Sequence, residues 1–136
     1  MKTQGFSKQE RITSQKVIDA LFTSGQSYSL TAFPLRAVYI VREKQSPLTP
    51  VVQLLISVPK RRFKRAVDRN RVKRQLREAF RKHKQLLSAH MAEEQTVAVA
   101  FVWLSDSHFS SAHIEKQVVS LLKRIAEKLS SLPSTP

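Results

Sequence analysis

The chain has 136 residues, 41% of them hydrophobic, with 24 Lys and Arg against 10 Asp and Glu and a formal charge of +14. This length and hydrophobic content suit one folded domain and exclude wholesale disorder. With no cysteine and only two glycines, the chain has no disulfide framework, no cysteine-bound metal centre and no glycine-rich phosphate loop.

The N-terminal half predicts one helix and two strands. Residues 1–10 are polar, and we expect them to be flexible. From Arg11 to Phe22 the apolar positions recur at helical spacing. Residues 33–42 predict a strand, and residues 51–58 form a nearly continuous apolar run that is typical of a buried strand.

The second half predicts a helix, a strand and a second helix. A helical pattern runs from Asp68, which we interpret as the N-cap, at least to Leu87. Residues 96–104 alternate large and small apolar side chains, so both faces of this strand are expected to be buried. Residues 112–129 predict the last helix, and residues 130–136 a disordered tail.

This α-β-β-α-β-α order has no internal repeat and no interdomain linker, and it predicts one α+β domain over residues 11–129, a small α/β sandwich. A buried strand, a helix and another buried strand in succession predict a parallel βαβ unit. The general rule for such crossovers is a right-handed connection.

Most of the charge lies in one segment. Residues 60–84 contain 13 basic and two acidic side chains, a net charge of +11, and the remaining 111 residues carry only +3. Such a density of like charge repels itself and is expected where a polyanion neutralises it. Arg outnumbers Lys eight to five in this segment, which favours bidentate phosphate recognition over attraction to lipid headgroups.

The helical pattern in this segment is amphipathic. One face is apolar, and opposite it a stripe without an acidic residue is formed by Asn70, Arg74, Arg77 and Arg81. One helical turn is close to the roughly 6 Å between phosphates of an RNA strand, so the stripe matches a phosphate run. The amide of Asn70 can both donate and accept a hydrogen bond, and the alternative is a helix-start residue without a partner.

Aromatic side chains are candidates for stacking on unpaired bases. They are Phe22, Phe33, Tyr39, Phe63, Phe101 and Trp103. Most aromatic residues of a small domain belong to its core. Phe63, inside the run KRRFKR, is the best exception by sequence, and its alternative role is to anchor that basic loop against the fold.

Residues 56–81, ISVPKRRFKRAVDRNRVKRQLREAFR, resemble the signature of the protein subunit of bacterial ribonuclease P. The RNR-x-KR-x-x-REAF run is specific, and weaker similarity covers most of the domain. The resemblance implies a mixed sheet of about four strands with three helices in the order α-β-β-β-α-β-α, including a short extra strand, and a left-handed βαβ crossover. The turn at residues 62–65 is longer and more basic than in many members, Pro59 stands where Ser is common, and Ile18 where an aromatic is expected.

The resemblance also implies a function. Members are subunits of a ribonucleoprotein endonuclease that removes 5′ leaders from precursor tRNA, and its RNA subunit, with Mg²⁺, carries the chemistry. The residues implied to bind that RNA are Arg69, Asn70, Arg71, Lys73, Arg74, Arg77 and Arg81. The residues implied to face the single-stranded leader are Phe22, Phe33, Lys60, Arg61 and Arg65.

The residues themselves argue against catalysis by this chain. Protein-borne metal-dependent cleavage needs clustered carboxylates, whereas the ten acids are scattered. The four histidines, at 83, 90, 108 and 113, show no metal-ligand spacing and are expected to be surface or packing residues. We therefore expect no catalytic or metal-binding residue in the chain, and no small-molecule substrate.

Two other functions fit the charge. A structural RNA-binding protein of ribosomal type would use the same stripe, but the ordered RNR-x-KR-x-x-REAF run favours ribonuclease P. A membrane-surface protein would expose large apolar residues opposite its basic face, and here that face is better used as core. No apolar run reaches the roughly 20 residues of a membrane span, and the N-terminus has no signal-peptide pattern, so we expect a cytoplasmic protein without a membrane partner.

Overall fold

The computed structural model describes residues 15–23, 25–44 and 46–131, without the side chain of residue 131. This part of the chain forms four helices and four strands. In chain order they are α1 (Gln15–Phe22), β1 (Tyr28–Ala32), β2 (Leu35–Glu43), β3 (Val52–Ser57), α2 (Ala66–His83), α3 (Gln85–Ser88), β4 (Gln95–Trp103) and α4 (Ser111–Ser131).

The four strands form one mixed sheet in the order β1-β2-β4-β3. β1, β2 and β4 pair antiparallel, whereas β3 lies parallel to β4 with Leu54 opposite Val99. Since parallel neighbours need a crossover, the chain between β3 and β4 leaves the sheet, and it contains the whole basic segment. This confirms the α+β class, the short extra strand and the parallel βαβ unit. The left-handed sense of the crossover stays a prediction.

β4 separates two apolar clusters, because its side chains alternate between the faces of the sheet. Its large residues face α2 and α4, where Phe101 and Trp103 are fully buried in the main core. Its alanines, Ala98 and Ala100, face α1 and form a smaller cluster with Val17 and Leu21. Small side chains on that face let a short helix lie close to the sheet, and both faces of β4 are buried as predicted.

The basic helix differs from the sequence prediction at both ends. α2 begins at Ala66, with Arg65 as its N-cap, so the assignment of the cap to Asp68 is wrong. The Asp68 carboxylate instead accepts hydrogen bonds from Arg65 and His108. The helix ends at His83, and a separate short helix, α3, buries Leu87. The described chain therefore has four helices where three were expected.

The other boundaries agree with the predictions to within a few residues. α4 includes residues 130 and 131, which the sequence assigned to the tail. Residues 11–14 of the predicted first helix, and the flexible segment 1–10, lie outside the described residues.

Truncation of Phe80 tests the main core. Phe80 of α2 is fully buried and lies edge-on to Phe101, with the ring centres 6.4 Å apart. Phe80→Ala should lower the free energy of unfolding by about 3–5 kcal/mol, because it removes apolar contact and leaves a cavity. The control, Leu48→Ala, truncates a side chain that is 86% exposed and should change it by less than about 0.5 kcal/mol. Similar losses in both variants, measured by urea unfolding, would contradict this packing.

Candidate nucleic-acid interface

The outer face of α2 carries the predicted basic stripe. Val72, Leu76 and Phe80 are fully buried on the inner side of the helix, so the side chains opposite them point away from the core. Asn70, Arg71, Arg74 and Arg77 are exposed there, and Lys73 is half-buried at the edge.

The middle of the stripe has no acidic partner. Among the described residues, Asn70, Arg71, Arg74 and Arg77 make no side-chain hydrogen bond or ion pair. Cations held one helical turn apart without counter-charges repel one another, and a bound row of phosphates would relieve that repulsion. This part of the surface is therefore complementary to a polyanion.

At the C-terminal end of the stripe, Arg81 has an acidic partner. Glu78 accepts two hydrogen bonds from Arg81, at 2.8 Å from Nε and 3.0 Å from Nη2. The hydrogen bond from Arg81 lowers the pKa of Glu78. The stripe itself contains no acidic residue, but at this end its Arg81 pairs with Glu78 beside it, because an i,i+3 spacing brings the two side chains together.

Arg69, the first residue of the RNR run, faces its own chain. Its Nη1 donates to the carbonyl oxygens of Phe63 and Lys64, at 2.8 and 2.9 Å. These bonds hold the loop before α2 against the helix. Arg69 therefore shapes the surface on which its neighbours are displayed.

That loop, residues 59–65, is the most exposed basic segment besides the stripe, and we call it the basic loop. Lys60 and Arg61 extend into solvent. Arg62 pairs with Asp106 at 3.4 Å, and Arg65 pairs with Asp68 at 3.1 Å.

The ring of Phe63 anchors the basic loop. It is 8% exposed and stacks on His108, with ring centres 4.5 Å apart and 14° between the planes. The alternative that Phe63 holds the loop against the fold is confirmed, and the ring is not displayed for base stacking.

His108 joins the basic loop to α2. Its Nε2 lies 3.0 Å from Oδ1 of Asp68, and since an ionised carboxylate only accepts, Nε2 carries the proton. This hydrogen bond, with help from Arg65, lowers the pKa of Asp68 against the opposing effect of partial burial. The chain after β4 thus braces the N-terminal end of the basic helix.

Phe22 is the last residue of α1, which packs on the face of the sheet opposite α2 and α4. Lys16 and Val17, at the start of α1, line a small pocket with Arg42 and Thr96, where β2 ends and β4 begins. The N-terminal end of α1 therefore lies near the start of β4. Phe22 is 45% exposed.

Two polar residues of the sheet, Arg36 and Ser57, lie on the face against which α1 packs. Arg36 pairs with Val102 of β4, and Val102 also faces Ser57 of β3, so the three lie side by side. They belong to the same face as Val38 and Ala100, which pack under α1. The exposed Arg36 adds a cation to this face of the sheet.

Phe33 does not join this surface. Its ring lies edge-on to Phe109, with ring centres 6.1 Å apart, and its carbonyl oxygen accepts a hydrogen bond from Gln117 of α4. The structure therefore places Phe33 beside α4, on the opposite side of the sheet from α1. The predicted leader set is therefore spread over the end of α1 (Phe22), the basic loop (Lys60, Arg61 and Arg65) and the turn beside α4 (Phe33).

Comparison with known proteins gives a consistent result. The family model described as "Ribonuclease P" matches residues 6–126. The ribonuclease P protein component of Porphyromonas gingivalis is 38% identical over 130 residues, which cover 95% of this chain and 92% of that relative. This chain belongs to the ribonuclease P protein family.

Solved structures show the same fold. The RNase P protein from Thermotoga maritima matches with a TM-score of 0.64 at 19% identity, covering 85% of this chain and 96% of that one. A mutant RNase P protein of Staphylococcus aureus also gives a TM-score of 0.64, covering 87% and 88% of the two chains.

Three features of the ribonuclease P protein surface escaped the sequence reasoning. Arg36 was detectable, because it alternates with the buried Leu35 and Ala37 of a predicted strand. His108 carried no local signal, since its partner Asp68 lies 40 residues away. The position of Phe33 beside Phe109 depends in the same way on a long-range contact.

A substitution at Asp68 tests whether its hydrogen bonds with His108 and Arg65 stabilise the protein. Because the pKa of Asp68 is lowered by folding, its carboxylate stabilises the protein above its unfolded pKa of about 3.9, and this contribution is lost as the pH falls through the folded value. Wild type should exceed Asp68→Asn in free energy of unfolding near neutral pH, and the difference should shrink below about pH 4.

Urea unfolding at a series of pH values measures this difference. The control is Glu127→Gln on α4, whose exposed side chain makes no ion pair with the described residues, and it should show no such trend. A wild-type advantage that stays constant or grows with acid would contradict the role given to Asp68.

Proposed function

We propose that this chain is the protein subunit of a ribonuclease P holoenzyme, which removes the 5′ leader from precursor tRNA. In this assignment the outer face of α2 binds the catalytic RNA subunit. The observation that carries the proposal is the row of exposed, unpaired Asn70, Arg74 and Arg77, in a chain that belongs to the ribonuclease P protein family.

Phosphate contact is the role that the stripe's chemistry supports. A guanidinium can bind two phosphate oxygens at once, and one-turn spacing matches successive phosphates of a strand. Asn70 would contribute a donor and an acceptor near the N-terminal end of α2, where the helix dipole also favours an anion. Arg71 and Lys73 extend the contact on the two sides of the stripe, and Arg69 and Arg81 contribute at its ends.

We assign the single-stranded leader to the α1 side of the sheet. Phe22 offers an exposed ring for stacking, and the exposed side chains of Arg36, Lys60 and Arg61 would supply positive charge. An aromatic ring beside cations is how proteins bind single strands with little sequence preference. Arg65, the N-cap of α2, would add a further cation.

We assign the metal ions to the RNA subunit. Within the described residues no group of three His, Asp or Glu side chains could hold a metal ion. The protein would act by binding, and Mg²⁺ on the RNA would supply the cleavage chemistry.

A ribosomal-type role is less well supported, because the relatives are ribonuclease P components. In the described part of the chain, no helix is long and apolar enough to cross a membrane.

Reconstitution tests the proposed function. The full chain should increase cleavage of precursor tRNA by a bacterial ribonuclease P RNA at low Mg²⁺, because it adds affinity for the leader. The chain without RNA should not cleave. An equal rate with and without the protein, in a titration that reaches saturation, would contradict the proposal.

Arg74→Ala tests the stripe. Removal of one phosphate contact should weaken binding to the RNA subunit and reduce the slope of log K against log salt by about one. The control, Lys123→Ala, removes an exposed cation of α4 and should leave the slope unchanged. Filter binding at several salt concentrations gives both slopes, and an unchanged slope for Arg74→Ala would show that the stripe does not face RNA.

A further inference from the structure

A second aromatic surface lies beside the N-terminal end of α4. We call it the Phe33 platform, and it consists of Phe33, Phe109 and His113. Phe109 stacks on His113, with ring centres 5.2 Å apart and 20° between the planes, and lies edge-on to Phe33. Its other neighbour is the fully buried Trp103, whose ring centre is 5.8 Å away. The platform thus rests on the main core.

The outermost ring of the platform is exposed although its backbone is fixed. Phe33 is 56% exposed. Its carbonyl oxygen accepts a hydrogen bond from Gln117 at 2.7 Å, and that of the neighbouring Thr31 accepts one from Arg124 at 2.9 Å. A ring held in place in this way loses little conformational entropy when a planar ligand stacks on it.

The platform adjoins the basic helix. Gln75 of α2 donates to the carbonyl oxygen of Phe109 and to Oγ of Ser111, at 3.2 and 3.0 Å. Gln75 directly follows Arg74 of the stripe and lies one turn after Arg71. On the α4 side, Lys116 is exposed one turn after His113. An aromatic surface bordered by cations is complementary to a nucleotide, whose base stacks while its phosphate is neutralised.

We propose that the Phe33 platform binds an unpaired nucleobase of RNA by stacking on Phe33, as a second RNA site in addition to the leader surface near Phe22. The inference rests on the proposed function. Phe22 belongs to α1, which packs on one face of the sheet, whereas Phe33 packs beside α4, which lies on the other face. The base comes either from the leader or from an unpaired position of the RNA subunit.

Phe33→Leu and Phe33→Tyr test the stacking. Leucine keeps an apolar side chain without a π face, and should weaken RNA binding about tenfold, whereas tyrosine should keep wild-type affinity within about twofold. Equal losses in both variants would mean that packing, and not stacking, is disturbed, and would overturn the proposal. No loss in either would overturn it as well.

Two binding measurements identify the source of the base. One is the affinity of the full chain for the RNA subunit alone. The other is the affinity of the assembled holoenzyme for precursor tRNA, compared with tRNA that has no leader. A loss with Phe33→Leu in the first assay assigns the base to the RNA subunit, and a loss only with leader-bearing tRNA assigns it to the leader.

Photocrosslinking keeps the proposal testable if Phe33→Leu unfolds. A benzophenone amino acid at position 33 of the full chain should crosslink to RNA in the holoenzyme, and the same group at the exposed Leu48 is the control. Crosslinking at neither position, or equally at both, would contradict the platform. Wild-type protein that stimulates cleavage while Phe33 variants bind normally would sink this inference and leave the proposed function intact.

Discussion

The parallel pairing of β3 with β4 is the constraint on which the rest of this structure depends. Because the two strands run the same way, the chain between them must cross one face of the sheet, and that crossover is the basic segment. Packing of Val72, Leu76 and Phe80 into the main core then fixes which side of α2 meets solvent. The charged side chains of α2 are exposed because the apolar side of the same helix packs against the sheet in the main core.

The acidic residues near the basic segment pair with side chains at the two ends of α2, whereas among the described residues the cations in the middle of the stripe have no acidic partner. Asp68 pairs with Arg65 and His108, and Glu78 pairs with Arg81. Glu115 of α4 lies 2.7 Å from His83 near the C-terminal end of α2, and this hydrogen bond lowers the pKa of Glu115. Repulsion is thereby reduced at both ends of the helix, and the cations between them are held in place for a polyanion.

The sequence predicted the features that depend on local pattern. The alternation in residues 96–104 identified β4 and its two buried faces, and the helical spacing of Val72, Leu76 and Phe80 identified the orientation of α2. Features that depend on contacts between distant residues were missed. Asp68 is of a residue type that is common at the N-cap, yet its carboxylate accepts a hydrogen bond from His108, which lies 40 residues away in the sequence. Phe33 and Phe22 were grouped as leader-facing residues, and the structure places Phe22 on α1 and Phe33 beside α4, which pack on opposite faces of the sheet.

Directed RNA cleavage from single cysteines tests the central claim, that the outer face of α2 meets the catalytic RNA and the end of α1 meets the leader. The chain has no cysteine, so an iron chelate can be attached at one introduced residue. Val67→Cys is suited to the exposed first turn of α2, Thr23→Cys to the end of α1, and Lys123→Cys on α4 serves as the control. In the holoenzyme with precursor tRNA, the account predicts cuts in the RNA subunit from position 67 and cuts in the leader from position 23. Cuts in the RNA subunit from position 123 but not from position 67 would contradict it.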